Sequence, residues 1–438
     1  MPGMSFSSVR KYRFKRNRLF LGLSALLRFS VGASSETHAI TIAGSSSGKG
    51  TSVIIPNIIK WKHNLLVIDP KGDNATKTTQ IKIKQGYSVH VLDPFRISTI
   101  PTSAKAQFNP LSLIDVNSAN AADEINVIAE ALVMRDKDPG AANWDDGAQM
   151  LIAGVIAAII LDEDDRNRNL NEVRAFIRDD DALEAFAKQY KNDTRLGGII
   201  SNGASRAIKK EGTYYVSNAQ RQTAWLDSNP VKAMVESSSF DLSDLKNKKR
   251  TAVYVVLPIN YVETHACLLR LMVLTATSEM LRMTKSGNEK GEKCLFMLDE
   301  FYSLGFLKRL VECVGYARSL GLHLWPFLQN VGQLTELYGR EGAETFFGNS
   351  GFWQFFGNKD PQTCEFISNS IGDRHSSGLF DVDKEIVGKP LMTPQEVKEH
   401  VKKRAENKEA RRMIVFTEGK DVLSLRLFPY FKSFRWWL

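Results

Sequence analysis

The chain has 438 residues, 43% of them apolar and 24% charged, and a formal net charge of +9. That length exceeds what one core usually supports, so two domains are expected, and the composition excludes a disordered or collagen-like chain. The basic balance is compatible with a polyanionic partner or an anionic membrane surface without demonstrating either. Four cysteines, none in a Cys-x-x-Cys pair, speak against a zinc site or a disulfide framework.

Arg10, Lys11, Arg13, Lys15, Arg16 and Arg18 crowd the start, so residues 1–34 read as a basic N-terminal segment, loosely ordered up to residue 18. The apolar run at 19–27 is too short to span a bilayer. Basic residues followed by such a run have the outline of a signal peptide, but no cleavage site follows. No run of about 20 apolar residues stands out, so no transmembrane helix is expected.

From residue 37 short apolar runs alternate with helical periodicity. Residues 37–43, 65–68 and 89–92 read as buried strands. Helical patterns follow at 120–134, 144–161, 170–190 and 217–235, with no strand text among them. Strand text resumes at 252–257, 294–298 and 322–328. The expected fold class is α/β, with a central twisted, mostly parallel sheet built from residues 35–114 and 237–438 and an all-α domain, 115–236, inserted between them.

The strongest chemical signal is Ala43-Gly44-Ser45-Ser46-Ser47-Gly48-Lys49-Gly50-Thr51, between a strand and a helical stretch at 51–60 that Pro56 should limit or kink. Small residues let backbone N–H groups curl around phosphate oxygens, and Lys49 supplies a cation for the outer phosphates. Two positions depart from the Walker A pattern. Ala43 replaces its first glycine, and Gly50 stands where a Mg²⁺-binding hydroxyl belongs, with Thr51 one position late. The second signal, Leu295-Phe296-Met297-Leu298-Asp299-Glu300, is an apolar strand ending in paired acids. Asp299 is read as the Mg²⁺ ligand and Glu300 as the base that polarises the attacking water. Gln329, at the tip of the strand 322–328, is placed to orient water near a terminal phosphate. Arg318 is a candidate arginine finger for a neighbouring subunit, with Arg340 and Arg374 as rivals.

Other features are less specific. Asp69-Pro70-Lys71-Gly72-Asp73 sits where ligand sites gather in open α/β sheets, or is an ordinary turn. Lys246, Lys248, Lys249 and Arg250 line a nucleic-acid channel or form a solvated loop. Trp225, Trp325 and Trp353 read as core.

Taken in order, Gly44 to Gly50 with Ile55-Pro56-Asn57, Asp69-Pro70-Lys71-Gly72-Asp73, Val91-Leu92-Asp93-Pro94-Phe95, Asn109-Pro110-Leu111, Trp144 with Ala148 and Leu151, Leu298-Asp299-Glu300-Phe301, and Gln329 with Gln333 and Tyr338-Gly339 resemble the TraG/TraD type IV coupling proteins. Phe428-Pro429-Tyr430 extends the resemblance, which covers about residues 20–431. Gly-Lys-Gly is common in that family. The resemblance implies a RecA-like P-loop domain with an inserted all-α domain, a ring of six subunits, and use of ATP and Mg²⁺ to drive single- or double-stranded DNA, relaxase or effector proteins into a secretion channel. By motif position it gives Lys49, Asp299, Glu300, Gln329 and Arg318 the phosphate, metal, water, sensor and finger roles. Partners would be inner-membrane type IV secretion components, and the location cytoplasmic, peripheral at the bacterial inner membrane. Family members usually begin with two membrane-spanning helices, which are not evident here. Two other readings stay open: an FtsK/HerA-like DNA translocase, and a nucleotide-binding receptor without motor activity.

Overall fold

The structure is a computed structural model that describes residues 6–15, 18–25, 29–34, 36–135, 142–208, 212–282, 291–374, 389–402, 412–418 and 421–432. Among these, the strands in chain order are β1 (Arg18–Ser24), β2 (Ser30–Ser34), β3 (His38–Ala43), β4 (Asn64–Asp69), β5 (Ser88–Leu92), β6 (Thr251–Val256), β7 (Cys294–Leu298), β8 (Leu322–Leu328), β9 (Ser350–Phe356), β10 (Asp373–Arg374), β11 (Lys389–Pro390), β12 (Arg412–Thr417) and β13 (Val422–Arg426). The chain forms two compact units. One comprises Met1–Lys62, Phe296–Tyr302 and His323–Leu438, the other His63–Leu295 and Ser303–Leu322.

In the first unit the strand order is β2-β1-β13-β12-β9-β3-β8, with β7 beside β8. β3 is parallel to both neighbours, Ile42 facing Leu328 on β8 and Ala43 facing Phe356 on β9. A buried polar chain fixes that register: Trp325 Nε1 donates to Thr41 Oγ1 at 2.8 Å, and Thr41 Oγ1 donates to Gln354 Oε1 at 2.8 Å. Slipping any of the three strands would strand these groups without partners.

Beyond β9 the sheet turns antiparallel through β12, β13, β1 and β2. This flank was not legible in the sequence. The run at 19–27 belongs largely to β1, whose Leu19, Phe20, Leu21 and Leu23 are all buried, so it lacks the alternation that marks a half-exposed strand. The register slips between Phe20 and Gly22, and Asn57 covers the backbone there, accepting from Phe20 N–H at 2.7 Å and donating to Phe20 O at 2.8 Å. Nor is the start loosely ordered throughout: Phe6–Lys11 is helical, and Tyr12 Oη donates to Asp421 Oδ2 at 2.8 Å.

In the second unit β6 lies between β4 and β5, parallel to both. Between Ala121 and Val235 every described regular element is helical. The pattern at 170–190 forms two helices, Leu170–Arg178 and Asp180–Gln189, because the Asp179 side chain caps the second by accepting from Ala182 N–H at 3.0 Å. The helix Ala142–Asp162 qualifies the expectation about membrane spans. Among the described residues it is the helix with the length and apolarity to cross a bilayer, but most of its apolar stretch is buried inside this unit. It crosses Ile199–Ile208 at glycines: a Cβ on Gly154 would lie 2.8 Å from Gly203 Cα.

Arg270 is buried in the same unit. Its N–H groups reach the carbonyls of Glu130, Ala131, Val133, Leu304 and Phe306, joining the end of the helix Ala121–Leu132 to the segment after the paired acids.

Candidate nucleotide-binding site

β3 is buried along its whole length and delivers the chain to Gly44. Gly44 N–H donates to Phe356 O at 3.2 Å, and a Cβ at Gly44 would lie 2.2 Å from Gly357 O, so only glycine fits this crossing. Ser46 (φ 56°) and Gly48 (φ 95°) bend the loop through left-handed backbone, the alternation that turns successive N–H groups toward one concavity. After Lys49 a π-helical turn, Gly50–Ile54, leads into the α-helix Ile55–Lys60. Pro56 lies inside one continuous helical run, and the π-helical turn directly before it is where that run departs from α geometry, as expected where proline has no N–H to give and crowds the preceding turn.

The paired acids come from the end of β7. Lys49 Nζ lies 3.9 Å from Asp299 Oδ1 and 3.8 Å from Glu300 Oε1, with its side chain 11% exposed. Glu300 adopts φ 52°, an uncommon conformation for a residue with a Cβ and a small store of strain at the position chemistry would use. From the tip of β8, Gln329 Nε2 donates to Glu300 Oε2 at 3.3 Å, and Gln329 Oε1 accepts from Ser45 Oγ at 3.0 Å. Gln329 is held in turn by Gln333, whose Oε1 accepts from Gln329 N–H at 2.7 Å. The structure thus gathers Ser45, Lys49, Asp299, Glu300 and Gln329 in one place within the first unit.

The donor set suits Mg²⁺ carried in by a nucleotide. Among the described residues no cluster of three His, Cys, Asp or Glu side chains could cage a metal, and Mg²⁺ at phosphate sites is commonly held by one or two carboxylates plus the phosphates. The position directly after Lys49, where a Walker A loop carries its hydroxyl ligand, is glycine. Thr51 Oγ1 donates to Gly48 O at 3.3 Å. At Gly50 an added Cβ would meet nothing within 4 Å, so no crowding requires glycine there.

Arg318 is half-buried in the 3₁₀ turn Ala317–Leu320 of the second unit. Arg340 is paired with Glu344 at 3.0 Å, and Arg374 belongs to β10. Asp69 accepts from Ala75 N–H at 2.8 Å in the first turn of the helix Asp73–Lys84, with Gly72 left-handed before it, so this motif is a strand-to-helix turn. Lys246 is buried and donates to Met280 O and Arg282 O, closing the end of the helix Val262–Leu281, while Lys248 pairs with Asp244. Trp225 and Trp325 are core, and Trp353 packs among Phe347, Phe366 and Phe416. The cysteines are free and buried.

One polar residue at the site escaped sequence reasoning. Asn358, two residues past β9, donates from Nδ2 to Gln329 O at 3.3 Å and is 1% exposed. Its signal was the aromatic run 352–356 closed by Gly357-Asn358, a strand end next to the one that carries the phosphate loop.

A Gly/Ser-rich turn with a lysine at the end of a parallel strand, with acids and an amide at the ends of neighbouring strands, places the chain among P-loop proteins of RecA-like fold. The backbone follows that of plasmid coupling protein TrwB in complex with the ATP analogue ADPNP, with a TM-score of 0.69 and 16% identity over 97% of this chain and 92% of that one. It also follows TrwB in complex with ADP and Mg²⁺ (TM-score 0.67, 15% identity, 98% and 93% covered). Identities this low speak for the fold alone. In sequence the chain is 28% identical to the conjugal transfer protein TraG of Rhizobium radiobacter, over 92% of this chain and 63% of that protein. It is 27% identical to the type IV secretion system-coupling protein VirD4 of Bartonella henselae, over 80% and 55%. It therefore spans less than two thirds of these curated relatives. The profile of the family described as Type IV secretory system Conjugative DNA transfer matches residues 14–435, and the chain belongs to that family.

Proposed function

We propose that this chain is an ATP-hydrolysing coupling motor of a type IV secretion or conjugation system. The observation that carries the reading is Lys49 within 4 Å of both Asp299 and Glu300, with Gln329 hydrogen-bonded to Glu300. Gly44 to Thr51 cradle the phosphates, and Lys49 leaves the two acids for the triphosphate, which carries more negative charge than the pair. Asp299 would hold Mg²⁺, which when bound would neutralise charge on the outer phosphates. Freed from Lys49, Glu300 takes a proton from water, and Gln329 orients that water through the amide that now touches Glu300.

The same proposal covers the assembly. The all-helical stretch, residues 115–236, is an inserted domain that receives cargo, the chain works as a homo-oligomer, a hexameric ring, and Arg318 serves a neighbour's site. Cargo is DNA with relaxase, or an effector protein. The chain acts on the cytoplasmic face of the bacterial inner membrane with other secretion components. A second reading, a nucleotide-binding receptor without turnover, draws on the missing hydroxyl at Gly50 and the engaged hydroxyl of Thr51. Steady-state ATP turnover of the assembled protein, with and without single-stranded DNA, separates them. DNA-stimulated turnover supports the motor, and tight ATP binding with no turnover supports the receptor.

A further inference from the structure

Three strand ends meet at the phosphate loop: β3 with Gly44, β8 with Gln329, and β9 with Gly357 and Asn358. Gln329 and the loop were legible as chemistry, but the β9 end was not. Its contact with the loop leaves no slack. Gly44 could not carry a Cβ because Gly357 O is 2.2 Å from its position, and a Cβ on Gly357 would lie 2.6 Å from Ser47 Cβ. The loop and the end of β9 are therefore in direct backbone contact, with no room for a side chain between them.

Asn358 is bonded on one side only. Its Nδ2 donates to the backbone carbonyl of Gln329, while its Oδ1 is buried with no hydrogen-bond partner among the described residues. Ser47 Oγ, on the phosphate loop, is likewise buried and unpartnered. An unmet buried acceptor and an unmet buried hydroxyl each cost stability, and each such group in a native structure calls for an explanation. Ser47 and Asn358 flank the same Gly357, one by packing and the other by sequence.

We propose that Asn358 is a positioning residue of the nucleotide site. It fixes the backbone of Gln329 so that the Gln329 side chain faces Glu300, and its free Oδ1 accepts from the Ser47 hydroxyl when the terminal phosphate of a triphosphate is in place. Asn358 does not touch the reacting atoms, so it acts through Gln329, and the two belong to one pathway. This rests on the hydrolytic reading above for its effect on rate, but its effect on nucleotide discrimination does not.

The test uses the full chain with Asn358→Ala, the isosteric Asn358→Asp, Gln329→Ala, and the double Asn358→Ala/Gln329→Ala. Thermal unfolding and ADP affinity are measured alongside kcat, KM and the affinity ratio of a non-hydrolysable ATP analogue to ADP. Both Asn358 variants are expected to keep the ADP affinity of the wild type. Asn358→Ala should lower the unfolding temperature, since a buried hydrogen bond is lost, and Asn358→Asp, which sets a carboxylate against the Gln329 carbonyl, should lower it further. Each should lower kcat and the analogue-to-ADP ratio about tenfold, the scale of one lost hydrogen bond. The double variant is expected to be no worse than Gln329→Ala alone. If the wild type does not hydrolyse ATP, the hydrolytic reading fails while the affinity ratio still decides the role of Asn358. The proposal is overturned if the ratio stays at the wild-type value in both Asn358 variants. It is overturned equally if ADP affinity falls with the ratio, or if the double variant multiplies the two single effects.

Discussion

Gln329 donates its side-chain N–H to Glu300 Oε2 across 3.3 Å, so the acid at the end of one strand is oriented by the amide at the end of the next. Glu300 sits at φ 52° one residue beyond Asp299, its N–H bonded back to Asp299 Oδ1 at 3.1 Å and its carboxylate 3.8 Å from Lys49 Nζ, so the Gln329 amide is a further brace on the same carboxylate. Gln329→Ala removes that brace and the water-orienting amide together. The expected result is a loss of roughly tenfold to a hundredfold in kcat, within the range for a group that aids but does not perform proton transfer, with ADP affinity unchanged. Turnover assays paired with fluorescent-ADP titrations check it.

The open space at Gly50 makes a gain of function testable. Gly50→Ser places a hydroxyl where the loop lacks one, and no neighbour resists it. ATP affinity in Mg²⁺ is expected to rise roughly tenfold for one added oxygen ligand, and affinity in EDTA to stay the same. Titrations in the two buffers read the difference directly.

Lys246 distinguishes a structural lysine from a DNA-binding one. Its Nζ donates to Met280 O and Arg282 O, so Lys246→Met leaves two carbonyls at a helix end without their donor. The expected cost is about 1–3 kcal/mol of stability, read by chemical unfolding. The salt dependence of DNA binding should not change, whereas a lysine on phosphate would reduce the slope.

These contrasts show what the sequence exposed. The phosphate loop was legible because its chemistry lies in consecutive residues, and the paired acids and Gln329 because each closes an apolar strand. Asn358 was not legible, because its importance arises from β9 lying beside β3 some three hundred residues away in the chain. The left-handed backbone of Glu300 leaves no trace in residue type. β1 was hidden by burial on both faces, and the Lys246 run looked like a surface patch because nothing in its text marks Lys246 as the member that turns inward.

Stability should carry a pH signature from Glu279. Burial raises its carboxyl from 4.5 to about 7, against the opposing pull of Arg282. A folded pKa above the unfolded one means the folded chain holds the proton more tightly. That contribution is complete below about pH 4.5 and is lost as pH rises through 7. At about 1.4 kcal/mol per pKa unit the loss is on the order of 3 kcal/mol. Glu279→Gln should remove it, so the wild-type minus variant stability difference should fall between about pH 4.5 and 7 and level off above. A difference that is flat with pH would mean the carboxyl titrates normally.

The most direct test of the nucleotide site is Glu300→Gln, measured for ATP binding and for ATP turnover on the same preparation. The account predicts wild-type ATP affinity with turnover slower by roughly 10²–10⁴-fold, because the phosphate loop and Lys49 are untouched while the base is gone. Turnover at the wild-type rate would contradict it.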